Sequence, residues 1–599
     1  MCGITAYTGK ENALPFLIQG LEKLEYRGYD SAGVTILDQT LTTVKCKGRL
    51  QQLVEELQKY DLKGHVGIGH TRWATHGIPS QMNSHPHTND KNTISIVHNG
   101  IIENYREIKN ELIQHGYQFQ SETDTEVVVH LLDYYYDGDL LSTTLKVLKR
   151  IEGSYALCII STMHPDEIIV TRKDSPLIIG QLDHGYMAAS DIPALLTYTK
   201  DVYFLEDYEI GILKNNSITF YNQNGQEISK EITTIPYDLD AAKKDGYDTF
   251  MLKEIYEQPH AIKETLRGRI NHHHIIFDEL NHIDFSSFNK VYYVGCGTAY
   301  HACLCGAKIL EKIIQLPVSA IVASEFRYDS PIIDEHTLAV FVSQSGETAD
   351  TLAALRLAKS KHAKTIAIAN VLGSTISRDG DEVLYTCAGP EIAVASTKAY
   401  TTQLTLLILF AYYVGQRLNK DIDYNLIKEL EQLPKYVENI LKDAEIFEDY
   451  AKILADKHDA YFLGRSLDYA SVLEGALKLK EVSYVHADAY IAGELKHGPI
   501  ALIEEGSVVI AVAIQSHIAA KTISNIQETI ARGAKVILLT TKDNEVNNAD
   551  YIYYLPQVNE LLQSILVSIP LQMIAYYTAV LKNCDVDKPR NLAKSVTVE

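Results

Sequence analysis

Three apolar runs in the second half of the chain recur at one constant spacing, and this constrains the fold more than any other feature. Val291-Tyr-Tyr-Val-Gly295 is echoed by Ala460-Tyr-Phe-Leu-Gly464, Leu338–Ser343 by Val508–Ile514, and Thr365–Ala369 by Val536–Thr540. One shift of about 170 residues, shared by three strands, means a single sheet domain present twice. Strand-like runs alternate with helical ones along this tract, the pattern of parallel α/β units. Each copy is therefore expected to be a doubly wound sheet that binds ligands at the carboxyl ends of its strands.

The strand ends differ between the copies. The first reads Ser343-Gln344-Ser345-Gly346-Glu347-Thr348 and leads into a helix-like Ala349–Lys359. Hydroxyls and backbone N–H groups between a strand and a helix make an anion cradle, and Thr298, after Gly295-Cys296-Gly297, adds a hydroxyl. The second copy reads Ile514-Gln515-Ser516-His517 and lacks the Gly-Glu-Thr continuation. One phosphate site per chain is expected, in the first copy. The bland alternative is a Ser-rich helix cap.

The first ~240 residues mix short β-rich runs with polar loops, as expected of a separate domain in a chain too long for one core. Cys2 stands directly behind Met1. Removal of Met1 would leave a thiol and a free α-amine on one residue. An α-amine titrates near pH ~8 and can take the thiol proton, so Cys2 reads as a nucleophile with its own base. The competing reading is an inert buried cysteine. A tetrahedral oxyanion needs fixed donors, which the Asn99 amide and the Gly100 backbone can supply. A substrate carboxylate needs a guanidinium, offered by Arg72, and an α-ammonium needs a carboxylate, offered by Asp124. Plainer readings exist: Asn99-Gly100 is also a turn signal, and Ser121 or Thr123 can cap the helix that follows.

The formal net charge of −22, from 55 basic and 77 acidic residues, argues against a nucleic-acid partner. Eight cysteines in 599 residues suit a reduced cytoplasm better than a disulfide scaffold. No signal peptide is visible, and the longest apolar run, around Leu404–Val414, reads as a buried helix, so no membrane partner is expected. His272-His273-His274 cannot all face one ion from regular structure, so no metal and no organic cofactor are expected.

Cys2-Gly3-Ile4, Leu24-Glu25-Tyr26-Arg27-Gly28-Tyr29-Asp30-Ser31, the Trp73 cluster and the Asn99 cluster resemble the class II glutamine amidotransferases. The resemblance implies an N-terminal-nucleophile αββα sandwich, with Cys2 as nucleophile and Asn99 with Gly100 as oxyanion hole. It also implies that Arg72, Trp73, Thr75, His76 and Asp124 hold glutamine. The second half resembles a pair of sugar isomerase (SIS) domains. Glu325-Phe326-Arg327-Tyr328, Val394-Ala395-Ser396-Thr397-Lys398 and the tail from Arg590 through Lys594 narrow the resemblance to the glutamine–fructose-6-phosphate aminotransferase (isomerising) family. The domains are accordingly placed at 1–235 for the amidotransferase, 236–248 for a linker, 249–425 and 426–583 for the two α/β SIS domains, and 584–599 for a catalytic tail.

That family turns a ketose phosphate into a 2-amino-aldose phosphate, which needs ring opening, an imine at C2 and proton transfer between C2 and C1. Lys478 and Glu481 are three apart in a helix-like Leu473–Val482 and can share a face. By resemblance Glu481 is the proton-transfer base, Lys478 assists it, and His497 opens the ring from the neighbouring subunit of a homodimer. Lys594 reads as an imine-forming lysine or as a contact to sugar oxygens, and the resemblance implies the former. Ser343, Gln344, Ser345, Thr348 and Thr298 match the phosphate site, and Val394 and Ser396 the sugar loop. Ammonia must pass between the two chemistries unprotonated, and Trp73 and the C-terminal segment resemble the channel elements of the family. Two departures stand out: Ala299 replaces a common serine, which would cost a hydroxyl at the sugar loop, and Ala393 replaces a glycine where a tight turn is expected. The rival readings are an amidotransferase for another ketose-phosphate acceptor and a non-catalytic sugar-phosphate sensor.

Overall fold

A computed structural model describes residues 2–73, 76–235, 244–272, 274–544 and 549–597. The chain divides into two units, Met1–Ala242 with Ser595–Glu599, and Lys243–Lys594.

In the first unit, strand Gly3–Gly9 lies inside an eight-stranded antiparallel sheet, between Gly185–Ala189 and Val66–Arg72. Its side chains alternate, as a strand buried on both faces requires. Ile4 and Ala6 face a second, seven-stranded sheet, meeting Val97, Ala156 and Val170. Tyr7 faces the other way, onto Leu17 and Leu21 of helix Ala13–Leu24. The far side of the second sheet is covered by helices Tyr105–Gln114, Glu126–Tyr135 and Leu140–Leu148, through Ile108, Leu112, Val128, Leu132 and Val147. Helix, sheet, sheet and helix make the αββα sandwich expected from the resemblance. The pairing of Gly3 with Thr71 brings Cys2 to the Arg72–Trp73 end of its neighbour strand.

The second unit holds two five-stranded parallel sheets. In the first, Val318–Val322, Lys290–Gly295, Thr337–Ser343, Lys364–Ala369 and Glu382–Tyr385 lie side by side in that order. In the second, the order is His486–Ile491, Asp459–Gly464, Val508–Ala513, Lys535–Thr540 and Tyr551–Tyr554. Counted along the chain, both sheets run 2-1-3-4-5, so the repeat read from sequence is a repeat of topology. The expected helix after Ser343–Thr348 is Ala349–Ser360.

One continuous apolar core joins the copies, and helices Lys398–Arg417 and Gln563–Leu581 run through it almost wholly buried. A helix that is apolar all round is stable only when surrounded. Leu404–Val414 lies in the first of these, as expected. Gln563–Leu581 is the one helix among the described residues long and apolar enough to cross a bilayer, and most of it is buried inside this core.

Candidate active sites

In the first unit the Cys2 thiol sits against the Trp73 backbone. The Trp73 N–H donates to Cys2 Sγ at 3.2 Å, and Sγ lies 3.5 Å from the Trp73 carbonyl. The Cys2 carbonyl accepts from Asn99 Nδ2 at 3.0 Å and from Arg27 Nε at 3.2 Å. Burial pushes the thiol up, while the positive chain terminus, the Trp73 N–H, Arg72 and Arg27 pull it down.

Asn99 is oriented from behind. His70 Nε2 lies 3.1 Å from Asn99 Oδ1 and 3.0 Å from the His98 carbonyl. Two acceptors on one nitrogen place the His70 proton there, and burial pushes His70 down to about 3, so the ring is neutral. The Asn99 amide is thereby fixed with its NH2 toward Cys2. Gly100 sits inside strand Ile94–Ile102 with φ +133, and a Cβ there would stand 2.1 Å from the Ser154 carbonyl oxygen. The Asn-Gly pair is therefore a kink in a strand; the turn reading does not hold.

Arg72 Nη2 donates to the carbonyls of His76 and Gly77, and buried Nη1 has no partner. A donor left open on a buried guanidinium is suited to a carboxylate. Asp124 accepts the Ile102 N–H at 2.7 Å on Oδ2, and its Oδ1 is 4.0 Å from His76 Nδ1. Thr75 lies outside the described residues. Ser121 and Thr123 do not cap the following helix: Ser121 Oγ donates to the Glu126 side chain, and Thr123 Oγ1 meets His87 Nε2. Arg27 escaped the sequence reading as a site residue, although it lies in the Leu24–Ser31 motif. It is anchored by Asp191 at 2.9 Å.

In the second unit the predicted helix is Leu467–Ser483, and it carries three charged groups on one face. Lys478 is 1% exposed. Its Nζ lies 2.5 Å from Glu481 Oε2, 3.1 Å from Thr298 Oγ1 and 3.5 Å from Glu474 Oε1. Glu474 also accepts from Thr298 Oγ1 at 3.1 Å, and its Oε2 meets His301 Nδ1 at 2.8 Å. Burial works against the Lys478 charge, but Glu481 and Glu474 outweigh it and raise its pKa. Lys478 thus sits as a buried cation between two carboxylates. Glu481 keeps about a fifth of its side chain exposed and so remains reachable. Glu474 was missed, although it lies one helical turn before Lys478. Lys480 points outward to Asp488.

The phosphate-loop candidates gather at the carboxyl ends of Lys290–Gly295 and Thr337–Ser343. Ser343 Oγ accepts the Gly346 N–H at 3.0 Å and lies 3.1 Å from Thr348 Oγ1, while Thr348 heads helix Ala349–Ser360 without capping it by its side chain. Gln344 and Ser345 complete this turn; the Gln344 carbonyl accepts the Asn370 N–H, and Ser345 Oγ accepts the Glu347 N–H at 3.2 Å. Ala299 occupies the first turn of helix Thr298–Ile314. Ala393 has no positive φ and is fully buried. The chain bends at 393–395 without a positive φ at Ala393, so its methyl meets no backbone conflict.

Lys594 Nζ is bound by Glu391 Oε2 and lies 3.4 Å from Ser396 Oγ. The Val394 N–H is held by the Asp587 carbonyl at 3.0 Å. Burial would raise Glu391, but Lys594 and the N–H groups of Ala399 and Thr397 outweigh it and hold it below the usual carboxylate range. His497, itself exposed, ends the 3-10 turn Ala492–His497, and among the described residues nothing ties it to Lys478, Glu481 or Lys594.

Residues 70–197 match the glutamine amidotransferase domain family, and residues 284–413 and 453–582 each match the SIS domain family. With the two sites above, this defines a transferase that joins an amidotransferase domain to a duplicated SIS unit. The chain belongs to the glutamine–fructose-6-phosphate aminotransferase (isomerizing) family. It is 53% identical to that enzyme of Clostridium tetani and 50% identical to that of Clostridium acetobutylicum, with all of each chain covered. Among solved structures it resembles the C-terminal domain of the glucosamine-fructose-6-phosphate aminotransferase of Francisella tularensis. That similarity is 39% identity with a TM-score of 0.56, covering 58% of this chain and 100% of that one.

Proposed function

We propose that the chain transfers the amide nitrogen of glutamine to D-fructose 6-phosphate and isomerises the product, giving D-glucosamine 6-phosphate and glutamate. The observation that carries this reading is the pairing of two sites in one chain: a thiol beside a buried arginine with a spare donor, and a buried Lys–Glu cluster at a phosphate-type loop.

In the first site Cys2 attacks the glutamine amide carbon, using the α-amine exposed by loss of Met1 as base. Asn99 Nδ2 and the Gly100 N–H receive the oxyanion. Arg72 takes the substrate carboxylate and Asp124 its ammonium, with Trp73, Thr75 and His76 enclosing them. Collapse releases ammonia, and water cleaves the thioester to glutamate.

In the second site Ser343, Gln344, Ser345, Thr348 and Thr298 hold the phosphate, and Val394 and Ser396 the sugar. Lys594, having given its proton up to water, attacks C2 of the open-chain ketose while Glu391 holds the amine in place; loss of water leaves an imine. Ammonia displaces the lysine. Glu481 then carries a proton from C1 to C2, with Lys478 and Glu474 fixing its position. His497 opens the ring from the partner subunit of a homodimer, a role supported by its exposure. A reduced, cytoplasmic setting is supported by eight unpaired cysteines.

Amide-labelled glutamine incubated with fructose 6-phosphate is expected to give labelled glucosamine 6-phosphate and glutamate in equal amounts. Glutamate without amino sugar would overturn the acceptor assignment, and no turnover would overturn the reading. Mixing His497→Ala with Lys594→Ala protein tests the shared site. Regained activity is expected, and none would refute it.

A further inference from the structure

A short helix is hydrogen-bonded to the loop that carries the sugar-site candidates. Helix Phe250–Tyr256 opens the second unit, and its first N–H groups are held by Asp587, Phe250 at 3.0 Å and Met251 at 2.9 Å. One turn later its Glu254 is 2% exposed. Glu254 Oε1 accepts the N–H of Ile392 and, at 3.1 Å, that of Ala393. The next N–H, Val394, goes to the Asp587 carbonyl. Three consecutive N–H groups of the sugar loop are thus held by one helix residue and by the residue that holds that helix's first N–H groups.

The same loop fixes Lys594. Glu391, at its start, accepts the N–H groups of Thr397 at 2.9 Å and Ala399 at 3.0 Å on Oε1, and holds Lys594 with Oε2. Ser396, near its end, is the other contact of that amine. A shift of Ile392 and Ala393 would therefore carry Glu391 and Ser396 with it, and misplacement by ~1 Å can cost ~10²-fold in rate.

Glu254 is a costly residue to keep. Its Oε2 is buried without a hydrogen-bond partner, and burial with Glu391 nearby pushes its carboxyl up to about 8. Buried carboxyl groups with an unsatisfied oxygen are uncommon and call for an explanation beyond packing. The two N–H groups it holds supply one.

We propose that Glu254 is a positioning residue for the transferase reaction: by accepting the Ile392 and Ala393 N–H groups it sets the loop that presents Lys594 to the sugar. This rests on the reading of Lys594 as the imine-forming lysine.

The test is borohydride trapping of fructose 6-phosphate on full-length protein, read as a mass adduct on the Lys594 peptide, alongside kcat and KM for the sugar. Glutamine hydrolysis without sugar serves as the control. Glu254→Met keeps the bulk and loses the acceptor; Glu254→Gln keeps an acceptor oxygen and loses only the ionisable carboxyl. We expect trapping and kcat in Glu254→Met to fall together by about tenfold or more, with glutamine hydrolysis unchanged, and Glu254→Gln to stay within about threefold of wild type. Equal trapping rates in wild type and Glu254→Met would overturn the proposal. No Lys594 adduct in wild type would overturn the Lys594 reading instead. If Glu254→Met does not fold, Glu254→Asp, which withdraws the carboxyl by one methylene, carries the same expectation and the same refutation.

Discussion

The two sheet domains of the second unit share strand order and helix placement, yet their strand-end turns have opposite fates. In the first, Gly297 (φ 54, ψ −126) leads into Thr298; in the second, Ser466 (φ 54, ψ −120) leads into Leu467. The backbone path is the same, and the hydroxyl is replaced by a methyl-bearing chain. In the first copy Ser343 and Thr348 line the second strand end. In the second copy the Ile514 and Gln515 N–H groups are taken by Asp468 Oδ2 at 3.0 and 3.4 Å, and the Ser516 N–H by Glu560 Oε1 at 2.7 Å. The protein's own carboxyl groups fill the place where an external anion would bind. Meanwhile the helix after Ser466 sends Lys478 and Glu474 to Thr298 of the first copy. The two copies have diverged: among the described residues, one leaves its strand-end hydroxyls free of carboxyl partners at Ser343 and Thr348, and the other sends charged side chains to Thr298 of the first.

The largest expected effect comes from removing what the second copy and the tail bring to the first. Lys594→Ala is expected to lower amino-sugar formation by ~10³-fold or more while leaving sugar-free glutamine hydrolysis intact, as a coupled assay with both readouts will show. Lys478→Ala should cost both rate and fold. It leaves Glu474 and Glu481 without their shared cation, a loss of about 3–5 kcal/mol, visible in urea denaturation. Retained stability would mean the cluster is not a buried ion set.

Asp468→Ala tests whether the second turn is closed by its own carboxyl. Wild type is expected to bind one fructose 6-phosphate per chain by equilibrium dialysis, and the variant to add a second, weaker site. Two sites in wild type would erase the contrast between the copies. The same carboxyl gives a pH signature. Burial raises Asp468 to about 7. In the folded chain it thus holds a proton that the unfolded chain releases near ~4. Its contribution to stability is full below ~4 and is lost as pH rises toward 7. Asp468→Asn should flatten that decline in a series of melting curves.

The smallest effect concerns the shared turn itself. A non-glycine residue at φ 54, ψ −120 costs of order 1 kcal/mol. Ser466→Gly is therefore expected to stabilise by about 1 kcal/mol, and Gly297→Ala to destabilise by a similar amount. Null shifts in both variants would show that neither turn is strained, and a shift in only one that the two are not strained alike.

The repeat was legible because strands buried on both faces read as continuous apolar runs, and the spacing of those runs survives divergence. Cys2, Asn99 and Arg72 were singled out through the chemistry that a thiol acyl transfer demands, and the structure places Asn99 and Arg72 beside Cys2. Glu474, Glu391, Glu254 and Asp468 were not. Each is an acidic residue on or beside a helix or loop, where sequence alone suggests solvent. Glu474 is buried where one copy's helix meets the other's and Glu391 where the tail meets the sugar loop, whereas Glu254 is held against Ile392 and Ala393 and Asp468 against the Ile514–Gln515 turn of its own copy. The Asn99-Gly100 turn reading failed because a glycine kink within a strand and a hairpin turn share the same dipeptide.

The bond from the Phe250 N–H of helix Phe250–Tyr256 to Asp587 spans 337 residues of chain. During synthesis the helix leaves the ribosome with its own cap, Thr249, but long before Asp587 exists. At ~5–20 residues per second it waits roughly 20–70 s. Most of the first unit is already made by then, whereas the second lacks the partner of its opening helix until Asp587 emerges.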